Sequence, residues 1–175
     1  RPIELEIATD LLGAEADVEV LGPREPEIPQ GDPALVERTL EMLLKAKRPV
    51  MVVGEEVQSQ GGTAEIIELA EKLGAPVVTC DGAKGAFPEN HPLSLGQAMG
   101  KRIWGENPVQ DWLGTCDFAL VLGSILPYRS TVGVGLKLPA NMAHVLLDGD
   151  SIGKNYPATV ALEANSRAVV RQLLD

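Results

Sequence analysis

The 175-residue chain contains few of the residues from which cofactor, metal and nucleic-acid sites are usually built. Aromatic residues make up 3% of it, and it has two cysteines and two histidines. Cys80 and Cys116 are isolated in the sequence, which argues against a disulfide scaffold or a zinc site, because both need paired spacings. We expect both thiols to be reduced and buried. His91 and His144 are also far apart and lack an acidic or cysteine neighbour at ligand spacing, which predicts structural roles.

Positive charge is scarce as well. Fifteen lysines and arginines stand against 25 aspartates and glutamates, giving a net charge of −10. Nucleic acids and anionic membranes are bound through basic surfaces, so this charge argues against both as partners. No apolar run approaches the roughly 20 residues of a transmembrane helix. The first residues also lack the charged-then-apolar pattern of a secretion signal, so we expect a cytoplasmic location.

Proline and glycine divide the chain into a linker and one α/β domain. Residues 22–33 hold four prolines and two glycines, which predicts an extended linker. Beyond it, continuous apolar strands alternate with amphipathic helices, which predicts a mainly parallel, doubly wound sheet with helices on both faces. The predicted elements are a helix capped by Asp32 and running to about Lys47, strand 50–53, helix 63–73 ended by Gly74, strand 77–80, helix 108–113 capped by Asn107, strands 118–122, 144–147 and 159–162, and helix 166–174.

Five stretches, in order along the chain, carry a resemblance to a known family. They are RPVMVVGEEV (48–57), EKLGAPVVT (71–79), AKGAFPENHPLSLG (83–96), CDFALVLGS (116–124) and VLLDGDSIGKNYPATV (145–160). Together they resemble the central domain of thiamine-diphosphate-dependent enzymes of the acetolactate synthase type, and KGAFPENHP and IGKNYP are the most specific pieces. The resemblance implies a three-layer, Rossmann-like central domain at residues 31–175. It also implies that residues 1–30 are the tail of a preceding pyrimidine-binding domain followed by an interdomain linker.

The resemblance places the catalytic chemistry outside this chain. In the family, thiamine diphosphate and Mg²⁺ are held by two other domains, one supplying a glutamate and the other a GDG motif followed by asparagine ligands. Here Asp148 to Asp150 reads DGD, and its two carboxylates fall short of the six oxygens that Mg²⁺ takes. We therefore predict no catalytic residue, no metal site and no activity for the chain alone. The parent is expected to be a homodimeric or homotetrameric 2-oxo acid decarboxylase or carboligase, with those two domains as partners.

The candidate cofactor-binding residues lie in loops after the predicted strands, because a doubly wound sheet binds ligands at the carboxyl ends of its strands. They are Gly54, Lys84, Gly85, Gly123, Ser124 and Arg129. Two alternatives stay open for Lys84, which either holds a phosphate or carboxylate or is solvated on a glycine-containing turn. The loop at 54–62 has no dinucleotide or Walker A pattern, and Glu55 and Glu56 would repel a diphosphate. We expect this loop to be an ordinary solvated turn.

Four positions argue against FAD as a cofactor. The resemblance places the flavin contacts of the family at positions where this chain has residues that cannot make them. Ile125 replaces an arginine, Pro127 and Leu146 each replace an aspartate, and Asn165 replaces a third aspartate near the last helix. Loss of even one buried charge-assisted contact costs roughly 2 to 5 kcal/mol in affinity. We therefore predict that FAD is not bound, while a smaller nucleotide such as ADP or coenzyme A stays open as an alternative.

The sequence is compatible with three functions. The leading one is an architectural domain that separates the two cofactor-binding domains and forms one wall of the substrate channel, near Arg129. The second is a self-standing nucleotide-binding module for ADP, coenzyme A or FAD. The third is a scaffold for subunit contacts, in which the apolar side chains of residues 1–12 would favour association.

Overall fold

The computed structural model describes residues 4–22, 27–97 and 108–175. Within these ranges six strands form one sheet, and each neighbouring pair of strands is parallel. The strands are β1 Pro49–Val53, β2 Val77–Thr79, β3 Ser94–Gln97, β4 Phe118–Leu122, β5 Met142–Leu146 and β6 Val160–Glu163. Their order is β3-β2-β1-β4-β5-β6, which is the doubly wound arrangement. The order reverses between β1 and β4, so the main crevice of the fold lies at the carboxyl ends of these two strands.

Five α-helices accompany the sheet in the described ranges. They are α1 Pro33–Lys45, α2 Glu55–Ser59, α3 Thr63–Leu73, α4 Pro108–Leu113 and α5 Ser166–Leu174, with 3-10 turns at Thr9–Gly13, Asp81–Ala83, Tyr128–Ser130, Val132–Val134 and Gly149–Ser151. Helix α5 packs against α1 and α3. Successive residues are buried throughout β4 and β5, so side chains on both faces of the sheet are covered. The prediction of a doubly wound parallel sheet with helices on both faces is therefore confirmed.

The helix caps explain why several predicted boundaries agree with the structure. The Asp32 carboxylate accepts the Ala34 N–H at 2.9 Å, and Pro33 follows at the first helical position. Gly74 ends α3 at φ 60°, a left-handed conformation that suits glycine. Asn165 caps α5 by accepting the Ala168 N–H at 3.0 Å. The predicted cap of α4, at position 107, lies outside the described residues.

The C-terminal end of the predicted first helix and both bounds of β5 differ from the sequence prediction. Helix α1 ends at Lys45, and the Asp117 carboxylate accepts the next free N–H groups, those of Lys47 at 2.8 Å and Arg48 at 2.9 Å. These two hydrogen bonds lower the pKa of Asp117 and turn the chain into β1. Strand β5 begins at Met142, so His144 lies in its middle and does not open it.

Two elements were missed altogether. Strand β3 is a short edge strand, and α2 replaces the solvated turn expected at 54–62. Strand β1 begins one residue earlier than predicted, β2 ends one residue earlier, and both bounds of β6 lie one residue later. The missed helix in 54–62 and the missed strand at 94–97 are four or five residues long. Elements of this length are too short to show a helical or strand periodicity in the sequence.

The two cysteines are free and buried, as predicted. Burial raises the pKa of Cys80 to about 12 and that of Cys116 to about 11. Both groups are therefore neutral thiols near pH 7, packed in the core as small apolar side chains.

Residues 4–22 contain no strand or α-helix and expose their large apolar side chains, which include Leu5, Ile7, Leu11 and Leu12. Residue 29 contacts the domain, because the Pro29 carbonyl accepts the Asn165 N–H at 2.9 Å. The proposed domain boundary at residue 30 stays a prediction. No helix in the described part of the chain is long and apolar enough to cross a membrane.

Candidate functional site

The candidate site lies at the carboxyl ends of β1, β4 and β5, where three loops meet. The Gly54 N–H donates to the Leu122 carbonyl at 2.8 Å, and the Gly123 N–H donates to the Val145 carbonyl at 2.9 Å. The first residue after each of β1 and β4 therefore still belongs to the hydrogen-bonded edge of the sheet. This arrangement brings Gly54, Gly123 and Ser124 together, three of the six candidates named from sequence.

The two glycines bring one loop against the other. A Cβ added to Gly54 would overlap the carbonyl of Gly123. Gly123 has φ 67°, and a Cβ there would come within 2.7 Å of the Glu56 Cβ. The Gly123 carbonyl also accepts the Glu56 N–H at 3.1 Å, which occupies a donor in the first turn of α2. A dinucleotide-binding fold has glycines at such positions so that a pyrophosphate can approach the backbone. In this chain the two glycines allow the protein's own backbone to approach instead.

Glu56 links this contact to the end of β5. One carboxylate oxygen accepts the Leu147 N–H at 3.2 Å, and the Gln60 side chain donates to the same oxygen at 3.4 Å. Burial raises the pKa of Glu56, and the charges of Glu55 and Asp148 raise it further, against the lowering effect of the Leu147 hydrogen bond. The side chain thus spans the crevice from α2 to β5 and carries a carboxyl group into the region expected to hold phosphate.

Ser124 is held in the sheet edge by backbone contacts. Its hydroxyl accepts the Leu126 N–H at 3.1 Å, and its carbonyl lies 2.7 Å from His144 Nε2. Because a carbonyl can only accept, His144 carries its proton on Nε2. Burial lowers the pKa of His144, and its Nδ1 is buried with no hydrogen-bond partner. The structural role predicted for His144 is therefore supported by a neutral imidazole that fastens the loop after β4.

Lys84 and Gly85 lie in a different part of the edge, on the loop after β2. The Lys84 side chain is 74% exposed, and its ammonium lies 3.7 Å from the Glu89 carboxylate. Gly85 has φ 88° and is exposed near the Gln58 side chain of α2. This placement favours the solvated alternative for Lys84, and its role as a ligand stays a prediction.

Arg129 lies in the loop after β4, on an exposed 3-10 turn. Among the described residues, no hydrogen bond or ion pair to its guanidinium group is found. The same loop exposes Ile125 and Tyr128, and Leu147 is exposed at the adjacent end of β5. Arg129 is thus an exposed cation on a loop that also exposes apolar side chains.

The four positions that argued against FAD lie in β5, in the loop after β4 and at the start of α5. Leu146 is 1% exposed and forms part of β5, whereas Ile125 projects to solvent with 45% exposure. Asn165 uses its side-chain oxygen as a helix cap. Pro127 precedes the 3-10 turn that carries Arg129. Among these four side chains, none offers a charged group to a ligand.

The residues that the structure describes do not form a ligand set that fits Mg²⁺. In the described ranges, no three His, Cys, Asp or Glu side chains are grouped so that they could bind a metal. The Asp148 carboxylate accepts the Ser151 hydroxyl at 2.7 Å, as a loop carboxylate does within its own turn.

Two residues that the sequence analysis did not assign are Asn155 and Tyr156, from the IGKNYP stretch. The Asn155 amide donates to the Leu126 carbonyl at 2.8 Å, and the Tyr156 hydroxyl donates to the Leu136 carbonyl at 2.8 Å. Both contacts are made to the loop after β4. The IGKNYP stretch was one of the most specific pieces of the family resemblance, and this was the available signal for both residues. The sequence did not show which segment they contact.

A family model described as thiamine pyrophosphate enzyme, central domain, matches residues 36–173. The chain belongs to this family. The resemblance found in the sequence is therefore confirmed, and the match begins within α1 and ends within α5.

Relatives of this central domain are much longer than the chain. The "Acetolactate synthase large subunit" of Buchnera aphidicola subsp. Schlechtendalia chinensis is 31% identical over 180 residues, which cover 99% of the chain and 31% of that protein. The "Probable acetolactate synthase large subunit" of Methanocaldococcus jannaschii is 28% identical, covering 99% of the chain and 30% of that protein. The chain thus spans about three tenths of the length of these relatives.

A solved structure gives the same fold for this central domain. The benzoylformate decarboxylase of Polynucleobacter necessarius superimposes with a TM-score of 0.70 at 22% sequence identity, covering 91% of the chain and 30% of that structure. At this identity the likeness concerns the fold alone.

Proposed function

We propose that this central domain is an architectural part of a larger thiamine-diphosphate-dependent enzyme that decarboxylates or ligates 2-oxo acids. It separates the two cofactor-binding domains and forms one wall of the substrate channel. Thiamine diphosphate and Mg²⁺ are bound by those other domains of the same polypeptide, which works as a homodimer or homotetramer in the cytoplasm. The proposal is supported by the family and by relatives named as acetolactate synthases. The chain alone is inactive in this proposal.

The observation that carries the architectural role is the contact of the loops at the carboxyl edge. Gly54 packs on Gly123, and Glu56 bonds both the Gly123 carbonyl and the Leu147 N–H. A diphosphate entering here would have to break these hydrogen bonds and would face the carboxylates of Glu55 and Glu56. Repulsion between unit charges 4 Å apart is about 1 kcal/mol in water and about 4 kcal/mol at a typical protein-surface dielectric. The edge therefore favours packing over nucleotide binding.

The channel role is assigned to Arg129. Its guanidinium group is exposed, on a loop that also exposes Ile125 and Tyr128. A 2-oxo acid has a carboxylate next to its reacting carbonyl and, in small members of the class, an aliphatic tail. A free guanidinium beside apolar side chains has the chemistry to attract and orient such a molecule on its way to the cofactor.

The first test measures turnover of pyruvate by the polypeptide that carries this domain, with thiamine diphosphate and Mg²⁺ and without FAD. Arg129→Ala should raise KM with little change in kcat, because a substrate carboxylate loses an attractive partner. A charge-assisted contact of about 1 to 2 kcal/mol corresponds to roughly a 5- to 30-fold change in KM. Arg38→Ala is the matched control, since Arg38 is exposed on α1.

Two results would contradict the proposal. An unchanged KM in Arg129→Ala would remove the channel role, and turnover that depends on added FAD would show that the edge does admit a flavin. Arg38→Ala should leave KM unaltered. An equal rise of KM in both variants would mean that the net charge of the domain, and not the position of Arg129, determines KM.

The second test is a thermal-unfolding panel on the chain with FAD, ADP, coenzyme A and thiamine diphosphate. A ligand at 100 times its Kd adds about 2.7 kcal/mol of stability, or roughly 5 to 11 °C in Tm for a domain of this size. We expect no shift with any of the four. A shift with ADP or coenzyme A alone would favour the nucleotide-binding module, and a shift with thiamine diphosphate would contradict the assignment of that cofactor to other domains.

A further inference from the structure

The loop after β4, residues 124–136 and called here the β4 loop, is held at both ends by two adjacent side chains. Asn155 donates to the carbonyl of Leu126, near the start of the loop, at 2.8 Å. Tyr156 donates to the carbonyl of Leu136, at its end, also at 2.8 Å. Two neighbouring residues in the segment between β5 and β6 therefore fix both ends of a loop that lies some twenty to thirty positions earlier in the sequence.

The start of the β4 loop has an unfavourable backbone conformation. Leu126 has φ 47°, and it is the one non-glycine residue with positive φ in the described part of the chain. Its side chain is buried, with 1% exposure. A residue with a Cβ adopts this conformation only where its surroundings hold it there, and such positions often lie in functional loops. The contacts of Leu126 must therefore stabilise this conformation.

Those contacts converge on the peptide groups of Leu126. Its N–H donates to the Ser124 hydroxyl at 3.1 Å, and its carbonyl accepts from Thr131 Oγ1 at 3.2 Å as well as from Asn155. Thr131 belongs to the loop itself and moves with it, whereas the Ser124 carbonyl is already bonded to His144 of β5. Asn155 is the donor that ties this peptide to another segment of the protein.

The turn that carries Arg129 begins two residues after Leu126, so the direction of the Leu126 peptide sets the direction of that turn. We infer that Asn155, assisted by Tyr156, is a positioning residue that fixes the β4 loop and thereby the place of Arg129 at the carboxyl edge. The inference rests on the proposed channel role of Arg129 for its effect on turnover, whereas its effect on the loop is independent of that role.

A purely structural role would have different consequences. If Asn155 only added stability, its loss would lower the unfolding temperature and loosen all parts of the domain alike. A positioning role requires that the β4 loop alone becomes mobile. A local measurement on the loop therefore separates the two.

The β4 loop offers such a measurement, because trypsin cleaves after arginine and Ser130, the next residue, is buried. Cleavage at Arg129 requires the β4 loop to move away from the domain, whereas cleavage at Arg38 requires helix α1 to unfold. Asn155→Asp keeps the size of the side chain but removes its N–H donor. We expect cleavage at Arg129 to become at least tenfold faster, with cleavage at Arg38 unchanged.

Three further variants complete the experiment. Asn141→Asp is the matched control, because Asn141 is exposed and the same substitution there leaves the β4 loop contacts intact. Asn155→Gln retains an amide donor and should restore part of the protection. Tyr156→Phe removes the second hydrogen bond and should speed cleavage at Arg129 to a smaller extent.

The second readout is the KM of the full polypeptide for the 2-oxo acid. Asn155→Asp should raise KM by the factor seen for Arg129→Ala, and the double variant should show no further increase, since both changes remove the same interaction. Additive effects would overturn the link between Asn155 and Arg129.

The outcomes separate this inference from the proposed function. Unchanged cleavage at Arg129 in Asn155→Asp, or equal acceleration at Arg129 and Arg38, overturns the positioning role whatever the kinetics show. If cleavage is selectively faster but Arg129→Ala leaves KM unaltered, the positioning role stands and the channel role fails.

Discussion

The sharpest prediction concerns the contact between Gly54 and Gly123 at the point where the strand order reverses. Gly54 has φ −105° and ψ −179°, an extended conformation open to any residue, so Gly54→Ala introduces no backbone strain. The added methyl group would overlap the Gly123 carbonyl and also touch the Ser124 side chain. That carbonyl is fixed because it accepts the Glu56 N–H. The methyl can therefore be accommodated only if the end of β1 moves away from the end of β4.

Overpacking of this kind costs about 2 to 3 kcal/mol. For a domain of this size the loss corresponds to a fall in Tm of roughly 4 to 12 °C. Gly13→Ala is the matched control, because a Cβ at Gly13 meets no atom within 4 Å, and its effect should stay within about 0.5 kcal/mol. Urea and thermal unfolding of the isolated chain, followed by circular dichroism, measure both variants.

A change of less than 0.5 kcal/mol in Gly54→Ala would contradict a tight contact between the loops after β1 and β4. It would mean that the two loops separate at almost no cost, and the crevice could then open for a ligand. The main structural support for an architectural role would be lost with it.

Three further predictions concern buried polar groups. His144 has a pKa below its ordinary 6.5 in the folded protein, so the unfolded chain binds more protons at mildly acidic pH. The free energy of unfolding should be fully retained above about pH 6.5 and fall as the pH drops below it. Urea titrations at pH 7.5 and 5.5 measure this fall, which should be smaller in His144→Gln than in the unaltered chain. Glu65→Gln should cost about 1 to 2 kcal/mol, because the largely buried Glu65 carboxylate bonds two arginines of α5. Glu68→Gln removes an exposed pair and should stay within about 0.5 kcal/mol, so equal losses in urea unfolding would contradict this. Cys80 and Cys116 should react with a thiol reagent at pH 8 only after denaturation, and rapid labelling of the native chain would argue against their burial.

Much of the fold could be predicted because its main signals are local. The strand at 118–122 and the helices at 63–73, 108–113 and 166–174 lie where the sequence indicated. Each has either an unbroken apolar run or a cap whose mechanism involves only a few neighbouring residues. Asp32, Gly74 and Asn165 are caps of this kind, and each could be recognised without knowledge of the rest of the molecule.

The missed elements depend on distant contacts. Helix α2 is five residues long and begins with two glutamates, and its first turn is fixed by the Gly123 carbonyl and the Leu147 N–H. Strand β3 contains Gly96 and lies at the edge, where it is defined by its pairing with β2. A helix or strand of this length has too few internal hydrogen bonds to form by itself, so the sequence alone gives no sign of it.

Gly54, Gly123 and Ser124 lie together at the carboxyl edge of the sheet, and their role in binding a ligand stays a prediction. How the two glycines are used could not be predicted from the sequence. Gly54 and Gly123 follow their strands at the positions where a nucleotide-binding sheet needs glycine. Glycine at such a position shows only that something approaches the backbone closely, which can be a phosphate or another part of the chain. Here each approaches the other. The distinction depends on contacts across about seventy residues of sequence.

The position of Glu56 suggests how such a sheet can keep its shape without a ligand. Loops that leave the carboxyl ends of parallel strands expose backbone N–H groups, and in nucleotide-binding sheets phosphate oxygens commonly accept from them. In this domain the Glu56 carboxylate accepts the Leu147 N–H, and the Gly123 carbonyl accepts the N–H of Glu56 itself. The chain thus supplies from its own atoms the acceptors that a bound phosphate would offer. Because these donors are already bonded within the protein, a phosphate could reach them only by displacing the Glu56 carboxylate or the Gly123 carbonyl.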